Sequence, residues 1–222
     1  MGESRHSVLQ GASIVLLGAF NPKIFHPEWF ARNGLIRPTE ADDAQVHVVS
    51  TEFTFVEFER LRLQSTDRRF SLETVDPRMF GPLRDLAAGT FAVLEHTPID
   101  AFGLNSRTAI ELDPESNREA FLERMAPTHH WADLLDEPSL NSMTVEGTRS
   151  GCAANRIQIS VRPDPMNQRV VAIAVNEHYD VVIEGSAESG PPADFFVNRL
   201  HNEWDDFLSY SVEAAEKLCS SS

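Results

Sequence analysis

Arg156-Ile-Gln-Ile-Ser-Val-Arg162 is the stretch that decides the fold, because polar and apolar residues alternate through it without interruption. In a β-strand its two isoleucines and its valine would point to one side and its polar residues to the other. A strand with one apolar face and one solvent-exposed polar face is typical of an antiparallel sheet that packs on a core with one side only. We therefore expect such a sheet in this part of the chain.

The segments around this stretch extend the sheet. Residues 142–149 and 169–184 are predicted to be its neighbouring strands, with Asp164-Pro-Met-Asn167 as a hairpin connection. Pro191-Pro192 then introduces a long helix with one apolar stripe, to which Phe196, Leu200 and Phe207 belong. This end of the chain thus predicts three strands followed by a long helix.

Further upstream, residues 99–112 favour an extended segment with a bulge or kink at Gly103. Asp113-Pro114-Glu115 has the composition of a helix start, and Pro127 would end that helix. Residues 99–222 are therefore expected to run strand, helix, three strands, helix.

Residues 1–98 repeat this order. The apolar run at 13–20 is expected to be a strand covered on both faces, and Pro27 opens a short helix. Strands are predicted at 46–50, 53–63 and 70–75, with a turn at Thr66-Asp67 between the last two. Asp76-Pro77 then starts a long helix as N-cap and first helical residue.

The expected fold class is α+β, with two similar strand-helix-three strands-helix halves at 1–98 and 99–222. Each half would form an antiparallel sheet with its long helix packed on one face, and the halves would join into one compact, duplicated unit. A sheet built in this way keeps one face free for a ligand or an extended chain.

Composition excludes several classes of protein. The 222 residues carry a formal net charge of −15, of which −3 falls in residues 1–98 (10 basic, 13 acidic) and −12 in residues 99–222 (9 basic, 21 acidic). Such a chain is repelled by nucleic acid and by anionic membrane surfaces. The acidic second half is explained either as a solvated face or as a docking surface for a basic partner.

The expected location is cytoplasmic, because no apolar run is long enough to span a bilayer and the N-terminus lacks the pattern of a signal peptide. Cys152 and Cys219 are expected to be free thiols, the latter in a mobile tail. The sequence contains no Gly-rich phosphate loop, Cys-x-x-Cys pair or His-Glu-x-x-His helix, so it predicts neither a cofactor nor a metal.

Three groups of residues are candidates for binding. Paired imidazoles beside an indole at His129, His130 and Trp131 can hold a metal or act as acid and base, although adjacent histidines ordinarily diverge. In the Glu177-His178-Tyr179-Asp180 run, His178 and Asp180 would share one strand face, as would Glu177 and Tyr179. Each group is equally compatible with an ordinary solvated surface.

The third group follows Gly103. Asn105 and Arg107 could face a bound anion, or they could simply belong to a bent strand. No nucleophile in the sequence has a general base placed beside it by a recognisable motif, so a catalytic set is not predicted.

The runs His26-Pro-Glu-Trp-Phe, Phe91-Ala-Val-Leu-Glu-His-Thr-Pro98 and Phe102-Gly-Leu-Asn105 resemble a family of sporadically distributed, uncharacterised bacterial proteins. The resemblance implies a bacterial protein without an assigned enzyme activity, with a distribution like that of genes on defence or mobile loci. It transfers no functional residues.

Together these observations favour a non-catalytic binding or assembly module that recognises a protein partner or another copy of itself. The alternative is a small-molecule-binding protein or a hydrolytic enzyme with a pocket between sheet and helices. An enzyme is thus disfavoured but stays open.

Overall fold

The computed structural model describes residues 7–112, 115–151, 154, 156–181 and 192–220. Within these ranges the chain forms nine strands and five α-helices. The strands are β1 (Ser7–Gly18), β2 (Gln45–Val49), β3 (Phe53–Phe58), β4 (Leu61–Thr66), β5 (Arg69–Thr74), β6 (Ile99–Glu111), β7 (Met143–Gly147), β8 (Arg156–Pro163) and β9 (Val170–Asp180). The helices are α1 (Pro27–Arg32), α2 (Pro38–Asp42), α3 (Phe80–Val93), α4 (Glu115–Met125) and α5 (Pro192–Ser220).

All nine strands belong to a single antiparallel sheet with the order β2-β3-β4-β5-β1-β6-β9-β8-β7. The α+β class is confirmed. The first strands of the two predicted halves, β1 and β6, pair with each other at the centre, from Ser7 opposite Ile110 to Gly18 opposite Ile99. The sheet therefore continues across the boundary between residues 98 and 99.

The larger apolar core combines side chains from the sheet and from the two longest helices. Phe102 of β6 lies 5.1 Å from Phe196 of α5, measured between ring centroids, and Phe196 lies 5.6 Å from Phe91 of α3. Ile14 and Leu104 of the central strands are fully buried in the same cluster. Phe91 and Phe196 thus link the core of the first half to that of the second.

The first half contains one strand more than predicted. The expected strand at 53–63 is in fact the β3–β4 hairpin, which turns at Glu59-Arg60, with Glu59 in the left-handed region at φ 45°. The turn lacks the Gly, Asn or Pro that normally marks one. Because the chain reverses there, Phe55 lies on the opposite face of the sheet from Leu61 and Leu63.

Three local expectations are wrong. β1 is not covered on both faces, since Leu17 is 43% exposed while Ile14 and Leu16 are buried. β6 has no bulge at Gly103, which pairs in register with Val15, and the irregularities of the β1–β6 ladder lie instead near its two ends. Cys219 is not in a mobile tail, because it is buried within α5.

The second half matches its predicted order where it is described. β7, β8 and β9 form consecutive antiparallel pairs, and the Asp164 carboxylate caps the predicted hairpin by accepting from the amides of Met166 and Asn167 at 2.8 and 3.0 Å. The predicted start of α4 at Asp113-Pro114 lies outside the described residues, as does Cys152.

Over the described ranges, none of the helices combines the length and the apolar character that a membrane crossing requires.

Candidate binding face

The face of the sheet opposite the core carries an uninterrupted row of polar side chains. Following the pairing register from strand to strand, each of the nine strands contributes one polar residue to this row, which we call the polar row: Gln45, Glu57, Arg62, Glu73, Ser13, Asn105, Asn176, Gln158 and Glu146. Neighbouring strands lie about 4.8 Å apart, so the row spans roughly 38 Å. We call the side of the sheet that bears this row the polar face.

The outer part of the polar row on the β2–β5 side is held by ion pairs. Glu57 accepts from Arg62 at 2.8 Å and contacts the His47 ring at 2.9 Å, and Arg62 lies 3.4 Å from Glu73. These contacts lower the pKa of the Glu57 carboxyl, with the hydrogen bond to His47 as the largest cause and that to Arg62 next. The negative charges at this end are therefore largely compensated within the sheet.

The centre of the polar row is neutral. Asn176 donates its side-chain amide to the Asn105 side-chain carbonyl at 2.7 Å, across the β6–β9 pair. Ser13 is the next member, directly opposite Asn105 on β1. All three side chains are half-buried. Amide and hydroxyl groups offer both donors and acceptors, so this centre can match the N–H and C=O groups of another chain.

Small residues surround this neutral centre. Gly103 and Gly11 lie on the polar face two positions from Asn105 and Ser13, and Ala174 lies two positions from Asn176. A Cβ atom at Gly103 would come within 3.0 Å of the Asn176 amide nitrogen, so the glycine gives Asn176 its room. A depression results, lined by Gly11, Ser13, Glu73, Asn105 and Arg107 among others.

The structure brings three of the predicted site residues to this face. Asn105 lies at its centre, Arg107 lies beside the depression with a 55% exposed side chain and an ion-pair distance of 4.0 Å to Asp164, and His178 contacts Asp180 at 3.0 Å. His178 is paired across the ladders with Gly103 and Arg156. The predicted shared face of His178 and Asp180 is confirmed.

Tyr179 points to the core side of the sheet, away from the polar face. Its ring stacks on Phe102 at 4.5 Å, and its hydroxyl donates to the Glu177 carboxylate at 2.9 Å. Glu177 is fully buried, which raises the pKa of its carboxyl, and Arg149 approaches its second oxygen at 3.1 Å. Tyr179 is thus a buried residue of the core side and is separated from His178 by the sheet.

The His129-His130-Trp131 group forms no part of the polar face. Its histidines do converge, contrary to expectation, because a 3-10 turn at Thr128–His130 brings their ring centroids to 3.9 Å. Glu123 lies 3.8 Å from His129. Across the described ranges, no group of three or more His, Cys, Asp and Glu side chains could hold a metal.

Three neighbouring acids of α5, which belong to the acidic second half, each have a cation nearby. Glu203 contacts Arg199 at 3.3 Å, Asp206 contacts Arg149 at 2.6 Å, and the exposed Asp205 lies 3.8 Å from Arg84. This stretch of α5 is therefore less negative than the sequence alone indicates.

Sequence reasoning missed Ser13 and Asn176 as members of the polar face, and it assigned Gln158 to the solvated side of its strand without naming it as a binding candidate. The signal for Asn176 is the alternation of β9, in which it lies between the buried Val175 and Glu177 and two positions from Ala174. Ser13 has the same signal in β1, where it lies between the buried Ala12 and Ile14. Compared with known proteins, the sequence matches no family model. The curated proteins likewise include none that it matches, so the resemblance to sporadically distributed bacterial proteins stays a prediction.

Proposed function

We propose that the protein is a non-catalytic binding module that recognises a protein partner through its polar face. The observation that carries this proposal is the neutral centre of the polar row, where Ser13, Asn105 and Asn176 lie side by side next to Gly11 and Gly103. Small neighbours allow another backbone to approach, and amide groups can then exchange hydrogen bonds with it.

The charge distribution supports a partner with basic character. Residues 99–222 carry a net charge of −12, and their exposed acids attract a cationic partner at long range even where nearby arginines compensate them locally. The hydrogen-bonding centre would then fix the position of the partner. The net charge thus raises the rate at which the partner is encountered, and the hydrogen bonds of the polar row keep the partner in place.

We further propose that the chain arose by duplication, with its long helices packed on the face opposite the polar row. The sheet order supports this, since β1, β5, β4 and β3 run outward from the centre as β6, β9, β8 and β7 do on the other side. In each half a long helix follows the last strand, α3 after β5 and α5 after β9.

The test is native mass spectrometry of tagged protein isolated from its own host, comparing wild type with the Asn105→Ala/Asn176→Ala double variant. We expect a stoichiometric protein partner on the wild type and its loss from the variant. Asn202→Ala is the matched control, because Asn202 is an exposed asparagine of α5 away from the sheet. A partner retained at wild-type level by the double variant would contradict the assignment of the polar face.

The second candidate function is small-molecule binding or hydrolysis, and the His178–Asp180 contact favours it. A carboxylate beside an imidazole orients the ring and supports proton transfer. In this case the same experiment would show a small additional mass on a single chain, and His178→Ala would remove it.

A further inference from the structure

The two edges of the sheet differ in how they are protected. At one edge, the β2–β3 ladder contains a register shift between Val46 and Val48, and the His47 ring stacks on Phe55 at 4.3 Å. Bulges of this kind distort an edge and discourage a further strand from pairing with it. β2 is therefore a poor template for another chain.

The other edge, β7, has no such irregularity. Its five residues pair with β8 in continuous register from Met143 opposite Val161 to Gly147 opposite Ile157. In the sheet order no described strand lies beyond β7, and four of its five residues are exposed. A regular edge strand of this kind is a template for another strand.

The side chains of β7 are arranged on two distinct faces. Val145 lies opposite Ile159 on the side of the core, yet it is 58% exposed. Thr144 and Glu146 lie on the polar face, where Thr144 bonds Ser160 at 2.8 Å and Glu146 accepts from Gln158 at 2.8 Å. A strand added beside β7 would cover Val145 if it brought an apolar side chain to the same level.

We propose that the strand that β7 receives is β7 of a second copy, in antiparallel orientation with Val145 on the two-fold axis. Val145 is the middle residue of β7, so this register pairs the whole strand and places the two Val145 side chains against each other. Thr144 of each copy then faces Glu146 of the other, and no two acids are opposed. The result is one continuous sheet of two copies.

The charges near this edge permit the pairing. Glu146 lies 3.5 Å from Arg156 as well as accepting from Gln158, so its charge is compensated within its own copy. The whole chain nevertheless carries −15, and two copies repel each other at long range. The association is therefore weak and becomes stronger as added salt screens that repulsion.

Sedimentation velocity over a range of protein and salt concentrations tests the proposal. We expect a monomer–dimer equilibrium that salt strengthens, and an association constant at least about tenfold lower in Val145→Lys, because two like charges would then face each other on the axis. Val46→Lys on the opposite edge is the matched control, with the same change of charge and no expected effect. Val145→Ile should keep the dimer.

A cross-link checks the register independently of folding effects. Val145→Cys should form a disulfide between position 145 of two copies under mild oxidation, located by peptide mass mapping, whereas Thr144→Cys should not form the corresponding one at 144. The proposal is overturned by a monomer at all concentrations, by a dimer that Val145→Lys leaves intact, or by open-ended polymers that Val46→Lys also abolishes. That last result would mean that β7 pairs with β2 of the next copy.

Discussion

At the scale of the single residue, Glu177 stands out as an acid whose side chain the fold buries completely. Its carboxylate is fully buried between β9 and α5, where it meets the Tyr179 hydroxyl and the Arg149 guanidinium. Burial raises the pKa of the carboxyl, and the nearby Asp206 and Glu203 add to the rise, while Tyr179 and Arg149 oppose it. The folded protein therefore holds this proton more tightly than the unfolded chain does.

This shift predicts a specific dependence of stability on pH. Stabilisation by the protonated Glu177 is fully present below the pKa of the unfolded chain and is lost as pH rises through the higher folded value. Urea unfolding from about pH 4 to about pH 8 should show this decline in wild type and a flatter curve in Glu177→Gln.

Glu213→Gln provides the control for that measurement. Glu213 is an exposed acid of α5 that pairs with Lys217 at 3.0 Å, so its replacement should leave the slope of the wild type unchanged. An unchanged slope in Glu177→Gln would instead assign the pH dependence to other groups.

At the scale of elements, a pair of buried hydroxyls joins the centre of the sheet to its longest helix. Ser106 of β6 donates to the Ser211 hydroxyl of α5 at 2.7 Å, and Ser211 donates in turn to the Phe207 carbonyl at 2.8 Å. Both serines are buried. The contact fixes α5 along the direction of β6.

Removing both hydroxyls of this pair should cost less stability than the sum of the losses from removing each one alone. Ser106→Ala leaves the Ser211 oxygen without its donor, and we expect the free energy of unfolding to fall by about 1–2 kcal/mol. In Ser106→Ala/Ser211→Ala the loss should be smaller than the sum of the single changes, which a double-mutant cycle in urea measures. Strictly additive losses would show that the two hydroxyls do not interact.

The elements that sequence predicted well are those with a local signal. The Asp164 hairpin and α5 have turn residues or an apolar stripe that needs no distant partner. The Glu59-Arg60 turn has no such signal, since two long charged residues form it and Glu59 adopts a backbone conformation that is uncommon for its type. Its cause lies in the pairing of Phe58 with Leu61, which brings two apolar residues to the core.

At the scale of the molecule, residues 1–98 and residues 99–222 each supply a strand and core side chains that the other part packs against. β1 finds one of its two neighbours, β6, beyond residue 98, and Phe91 packs on Phe196. We predict that residues 1–98 produced alone lack the dispersed amide NMR spectrum of a folded domain, and that adding residues 99–222 restores it. A folded 1–98 fragment would show that the halves are independent domains.

The polar row is also a property of the whole molecule, because it depends on the register between strands that are distant in the sequence. It could therefore not be predicted from the sequence. Asn105 and Asn176 are 71 residues apart, and only the β6–β9 register places one opposite the other. The sequence did indicate Asn105 and His178 as candidates for binding, because polar residues within a predicted strand can be recognised from their immediate neighbours. Their arrangement follows from pairing, and pairing is not a local property of the chain.

The pairing of β1 with β6 also sets the order in which the sheet can be completed during synthesis. Of the nine described strands, β1 is the earliest in the chain and lies at the centre of the sheet, and both of its neighbours, β5 and β6, are made later. The nascent chain therefore carries an apolar strand with at least one unsatisfied edge until β6 has emerged, which is the interval when a chaperone would most affect its yield.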